Sequence, residues 1–116
     1  NDKNRYHMVM KHVIEQEPNI DLKQAMVERL IVSGDKVAGV EEATGFGYQS
    51  DAVVLATGTF LSGLMHIGFK SIKAGRAGEF AAYGLAVDLK QLGFQLGRMK
   101  TGTPPRLRRS SIDFTS

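Results

Sequence analysis

The 116-residue sequence predicts an α/β fold built as a single partial domain over residues 1–116, and three patterns carry that prediction. The chain opens with apolar residues at helical spacing. A β-branched stretch punctuated by turn signals follows, and then an unbroken apolar run, Ala52-Val53-Val54-Leu55-Ala56, halts at Thr57-Gly58.

Residues 1–17 are read as a helix. Tyr6, Val9, Met10 and Val13 fall at i, i+3, i+4 and i+7, Asp2 is placed to cap the start, and Pro18 blocks continuation. Residues 20–50 are read as an antiparallel β-meander: a weak alternation over Ile20–Ala25, an apolar run over Met26–Val32, a turn at Ser33-Gly34-Asp35-Lys36, a strand at Val37–Glu42, and a break at Thr44-Gly45-Phe46-Gly47. Residues 51–59 are read as a buried strand with a cofactor loop at its end, because an apolar run without alternation suits a strand covered on both faces of a parallel sheet. Residues 60–116 form a helix-containing basic segment. Leu85, Leu89 and Leu92 place a second helix over about 79–92, with Gly93 as a left-handed stop and Phe94–Arg98 as a short further strand. Thr103-Pro104-Pro105 removes donors and forces extended backbone, so regular structure is expected to end there.

Composition narrows the chemistry. With 42% hydrophobic and 23% charged residues the chain is of ordinary globular type, and with no cysteine it has no disulfide, thiolate zinc site or thiol nucleophile of its own. The longest apolar stretch falls far short of the ~20 residues that span a bilayer, and Asn1 begins no signal peptide, so a cytoplasmic location without membrane contact is expected. The chain opens without Met and directly into a helical pattern, which is expected of a segment of a longer protein.

Charge is unevenly placed. Residues 1–65 hold six Lys/Arg and nine Asp/Glu, whereas residues 66–116 hold nine and three. Arg98, Lys100, Arg106, Arg108 and Arg109 form a cluster without an acid, suited either to phosphate or to a solvated basic edge.

Two short stretches suit ligand chemistry. At Ala56-Thr57-Gly58-Thr59 a hydrophobic strand ends on small residues and hydroxyls, where free N–H groups meet phosphate or ribose oxygens in dinucleotide sites; an ordinary turn needing Gly58 explains the same residues. Gly75-Arg76-Ala77-Gly78-Glu79 precedes the second helix, where a helix N-terminus and Arg76 attract an anion, or where Glu79 fills that terminus itself. His7, His12 and His66 have no metal-ligand spacing. No paired carboxylates and no Ser/His/Asp set appear, so no catalytic residue and no metal site is assigned.

In order along the chain, Glu17-Pro18-Asn19, Gln24, Ala56-Thr57-Gly58-Thr59-Phe60-Leu61-Ser62-Gly63, His66-Ile67-Gly68, Gly75-Arg76-Ala77-Gly78-Glu79, Gly84-Leu85, Leu92-Gly93-Phe94, Gly97-Arg98, Lys100-Thr101-Gly102-Thr103-Pro104-Pro105-Arg106 and Ile112-Asp113-Phe114 closely resemble the MnmG family, also called GidA. The likeness covers essentially the whole chain, as an internal portion of a much longer enzyme. It implies part of a glutathione-reductase-like FAD/NAD-binding fold lacking its N-terminal Rossmann half. It implies a flavoprotein that works with an MnmE-type GTPase to install aminomethyl or carboxymethylaminomethyl at C5 of the wobble uridine of tRNA, with FAD for the redox steps, NADH as reductant, a folate one-carbon donor, and a homodimer in the full-length protein. The family's catalytic cysteines and FAD fingerprint lie outside this chain, so the segment alone is expected to be inactive.

By resemblance the cofactor-binding positions are Val27, a backbone contact to adenine, the FAD loop Ala56, Thr57, Gly58 and Thr59, and Ala82. The family has a serine near the flavin where this chain has Ala82, which leaves only backbone for that contact. Arg76, Arg98, Lys100 and Arg106 match the family's basic positions as tRNA or flavin-site contacts. Two other readings of the chain are a non-catalytic basic RNA-binding module and an inactive trimmed fragment. With half of the fold absent, uncovered sheet edges are expected to drive strand exchange between copies or to await further chain.

Overall fold

The computed structural model describes residues 2–102, 104 and 107–115. It divides into two compact units, Asn1–Val53 and Val54–Ser116.

The first unit holds helix α1 (Lys3–Gln16) and strands β1 (Val27–Ser33), β2 (Lys36–Glu42) and β3 (Gly47–Gln49). Asp2 caps α1, its carboxylate accepting the Arg5 N–H at 3.0 Å. The expected apolar stripe is present but uncovered: Tyr6, Val9, Met10 and Val13 all remain exposed, and α1 has no buried residue. The three strands form the antiparallel meander in sequential order. Ser33 pairs with Lys36 across a two-residue turn in which Gly34 takes φ 64°, the positive angle such tight hairpins demand at their first central position. Arg29 and Glu41 stand opposite each other on β1 and β2, with Arg29 Nε donating to Glu41 Oε1 at 2.8 Å. Gly39 is required where β2 meets β3, since a Cβ there would run into the Tyr48 carbonyl. Residues 20–25 form no strand.

The second unit holds a hairpin of β4 (Met65–Ile67) and β5 (Lys70–Ile72), helix α2 (Tyr83–Gln91) and a single 3₁₀ turn, Arg109–Ser111. Its buried hydrophobic residues are Ala74, Leu85, Ala86 and Leu89, so Leu85 and Leu89 of the expected leucine stripe face a core, whereas Leu92, the C-cap of α2, is exposed. Gly93, at φ 92°, ends this helix as predicted, and Phe94 N–H returns to the Leu89 carbonyl at 3.0 Å.

Three expectations are corrected, and one hairpin was not expected. Residues 51–59 contain no strand: 52–57 run without a ladder partner, and Val54 is 90% exposed. A strand exists only by pairing, and the described residues supply two antiparallel sheets with no parallel neighbour for this run. Helix α2 begins at Tyr83 instead of about Glu79, because Gly78 at φ 80° closes a turn in which Glu79 N–H donates to Arg76 O at 3.0 Å. Positive φ at that position cannot continue a right-handed helix. Phe94–Arg98 likewise forms no strand. The β4–β5 hairpin went unforeseen, its three-residue strands being too short to show alternation; only Gly68, at φ 58° in the turn, marked it.

Candidate functional site

Within the second unit the stretch Thr57–Gly63 forms two consecutive tight turns. Phe60 N–H closes the first on the Thr57 carbonyl at 2.9 Å, and Gly63 N–H closes the second on Phe60 O at 3.1 Å. Gly58 takes φ 53° in the first turn, and a Cβ built there meets nothing within 4 Å. The N–H groups of Gly58 and Thr59 have no partner among the described residues, so this turn offers two donors beside open space. Such adjacent amides suit phosphate or ribose oxygens. The second turn is, by contrast, tied at Phe60, Ser62 and Gly63 to other parts of the unit.

Three segments hold the double turn. Thr59 Oγ1 donates to the Gly75 carbonyl at 2.8 Å. Ser62 N–H donates to Ala82 O at 3.0 Å and Ala82 N–H to Phe60 O at 2.9 Å, a short parallel bridge between Leu61 and Ala82 just ahead of α2. The Tyr83 hydroxyl, from the first residue of α2, donates to Gly63 O at 2.7 Å, and Arg98 Nη1 donates to Ser62 O at 3.4 Å. Ser62 stands at φ 50°, the one non-glycine residue with positive φ among the described residues. A serine pays about 1 kcal/mol for left-handed backbone, so its neighbours must hold it there.

Phe60 packs against the backbone of Gly75, where a Cβ would strike the ring, and Arg76 lies over the same ring at 5.7 Å. Arg76 also meets Glu79, Nη1 to Oε1 at 3.0 Å. The expected anion site at a helix N-terminus is therefore corrected: Gly75–Glu79 is a turn closed by its own ion pair, with α2 starting beyond it.

The structure thus joins Thr57, Gly58 and Thr59 to Arg76 through Phe60, and joins Ala82 to Arg98 through Ser62. Ala56 and Lys100 are exposed. Ala82 has both its backbone groups in use within the chain. Val27 lies on β1 in the other unit, opposite Glu42. Arg106 lies outside the described residues. Sequence reasoning gave no role to Phe60, Ser62 and Gly63, quoted only as part of the family likeness, and passed over Tyr83, which nothing in the sequence distinguished from any other aromatic on a helix. Among the described residues no cluster of metal-ligating side chains occurs and no helix is long and apolar enough to cross a membrane.

A fold of this kind, with a double turn tied down ahead of a short helix, has clear relatives. The chain belongs to the family described as glucose inhibited division protein A, which it matches over residues 1–116. It is 63% identical over 115 residues to the tRNA uridine 5-carboxymethylaminomethyl modification enzyme MnmG of Syntrophobacter fumaroxidans, covering 99% of this chain and 18% of that protein. It is 50% identical to the MnmG of Chlamydia muridarum, covering 98% and 19%. Among solved structures, Aquifex aeolicus GidA matches with a TM-score of 0.91 at 45% identity over 98% of this chain and 19% of its own. The GidA-related protein of Thermus thermophilus matches with a TM-score of 0.72 at 33% identity over 78% and 40%. The chain thus spans about a fifth of the length of its MnmG relatives.

Proposed function

We propose that this chain is a segment of an FAD-dependent tRNA-modifying enzyme that, with an MnmE-type GTPase, installs carboxymethylaminomethyl or aminomethyl at C5 of the wobble uridine. The full-length family match carries the reading, and the open turn at Gly58 supports the cofactor assignment. The surrounding fold is of the glutathione-reductase type, and the complete protein is a cytoplasmic homodimer.

FAD, when bound, supplies the redox chemistry, with NADH as reductant and a folate-derived one-carbon unit. This chain's share is binding. The amides of Gly58 and Thr59 donate to cofactor oxygens, and Thr57 adds a hydroxyl. Ala56 lets the cofactor come close and Val27 meets adenine through backbone, while the backbone contact that the resemblance leaves to Ala82 competes with its bonds to Phe60 and Ser62. Arg76 is held beside Phe60, and the charges of Lys100 and Arg106 are assigned to the tRNA polyanion. No residue here is assigned a bond-making role, so the isolated chain is inactive.

The deciding experiment uses the complete reading frame: purify it, record the visible spectrum and identify heat-released cofactor by mass. FAD at about one per chain is expected; a colourless protein that does not take up added FAD would overturn the reading. Thr57→Val should weaken FAD binding by roughly fivefold, the size of one lost hydrogen bond, and an unchanged affinity would remove Thr57 from the site.

RNA contact by the basic stretch is supported by the exposure of Lys100, Arg108 and Arg109. In salt titrations of tRNA binding by the complete protein, Lys100→Ala and Arg106→Ala should each reduce the slope of log K against log salt by about one. Slopes equal to wild type would return both residues to the solvated edge.

A further inference from the structure

We propose that Tyr83 and Arg98 are positioning residues, which hold Ser62 and Gly63 in their strained turn and so present the adjoining Thr57–Phe60 turn to the cofactor. This rests on the FAD reading above and assigns Arg98 a role different from polyanion contact.

The two turns share Phe60, so the open amides of Gly58 and Thr59 are aimed by whatever fixes the backbone three to five residues later, at Ser62 and Gly63. At that place the chain has a serine at φ 50°. A left-handed serine drifts back toward ordinary angles unless its peptide groups are held on both sides. The groups that hold it come from distant sequence. Ala82 accepts its N–H, Arg98 donates to its carbonyl, and Tyr83 donates to the next carbonyl, at Gly63. Gly63 is buried and its surroundings are backbone, so it has no freedom to adjust in their place. Tyr83 is itself steadied from outside the turn, with Lys73 Nζ 5.4 Å from its ring centroid. Arg98 is an exposed side chain with one guanidinium N–H, at Nη1, directed at the Ser62 carbonyl at 3.4 Å.

The test uses the complete protein in its flavin-bound form, with Tyr83→Phe, Arg98→Met and Arg98→Lys, each also made in a Ser62→Gly background. Glycine adopts φ 50° without strain, so it relieves the need for the clamp. Expected is roughly fivefold weaker FAD binding for Tyr83→Phe and for Arg98→Met, partial recovery with Arg98→Lys, and a loss at least halved when Ser62→Gly is present. Amide exchange across 60–63 should quicken in the same variants, and the salt slope of tRNA binding should stay at the wild-type value for Arg98→Met. Faster exchange with unchanged FAD affinity would overturn the proposal, leaving both side chains merely structural. Equal losses with and without Ser62→Gly would also overturn it, as would a salt slope reduced by one. If wild-type protein takes up no FAD, the cofactor reading fails first and this proposal falls with it. If wild type binds FAD and the variants match it, this proposal alone fails.

Discussion

Gly63→Ala should cripple the double turn, although it adds a single methyl group. A Cβ at Gly63 would lie 2.5 Å from Thr59 O, 2.8 Å from Ala74 O and 3.0 Å from Gly75 Cα. All three are backbone atoms. The Thr59 segment is tied to Gly75 by the threonine hydroxyl, so the two cannot part without losing that bond as well. Overpacking of this kind costs about 1–3 kcal/mol where side chains can yield, and here none is available to do so, which places the expected loss near ~3 kcal/mol. Gly58→Ala is the matched control. Its Cβ would enter open space, leaving only the strain of positive φ, about 1 kcal/mol. In the complete protein stripped of flavin, the thermal midpoint should fall much further for Gly63→Ala than for Gly58→Ala. The reverse order would mean that the turn is not built as described.

This pair of glycines also shows what the sequence could and could not disclose. Gly58 and Gly63 look alike as letters near a turn; one needs an unusual φ and the other needs empty space, and only the path of residues 74–75 tells them apart. The meander was legible because turn residues and β-branched runs alternate over short distances, so each strand's partner is its neighbour in sequence. Helix α2 was legible in its leucine spacing but not in its start, since Gly78 closes a turn with the Arg76–Glu79 pair that reads on paper like a helix beginning. The clamp on Ser62 was illegible altogether. Its members lie 20 and 36 residues apart, from Gly63 to Tyr83 and from Ser62 to Arg98, and no local pattern announces that a hydroxyl and a guanidinium will meet two adjacent carbonyls.

Val54→Asp should have opposite consequences in two contexts. In this chain Val54 is 90% exposed and Leu55 44% exposed, in a segment that pairs with nothing among the described residues, so a carboxylate at position 54 should leave stability within about 0.5 kcal/mol of wild type. Yet Val54 and Leu55 exposed to water after a half-buried Val53 are a poor fit to that environment, and the pattern is one of a strand covered on both faces. With the remaining four-fifths of the protein present, we expect Val54 to be paired and buried, where an unpaired carboxylate costs several kcal/mol. Equilibrium unfolding of the complete protein and helical circular dichroism of the isolated chain, each with and without Val54→Asp, measure both arms. A large loss confined to the complete protein would place residues 52–56 in a buried sheet supplied by chain outside this segment. Neutrality in both would leave the run as a connector. The Thr57–Gly58 turn would then lack a strand end to stand on, and its two open amides would have to owe their direction entirely to the Ser62 clamp.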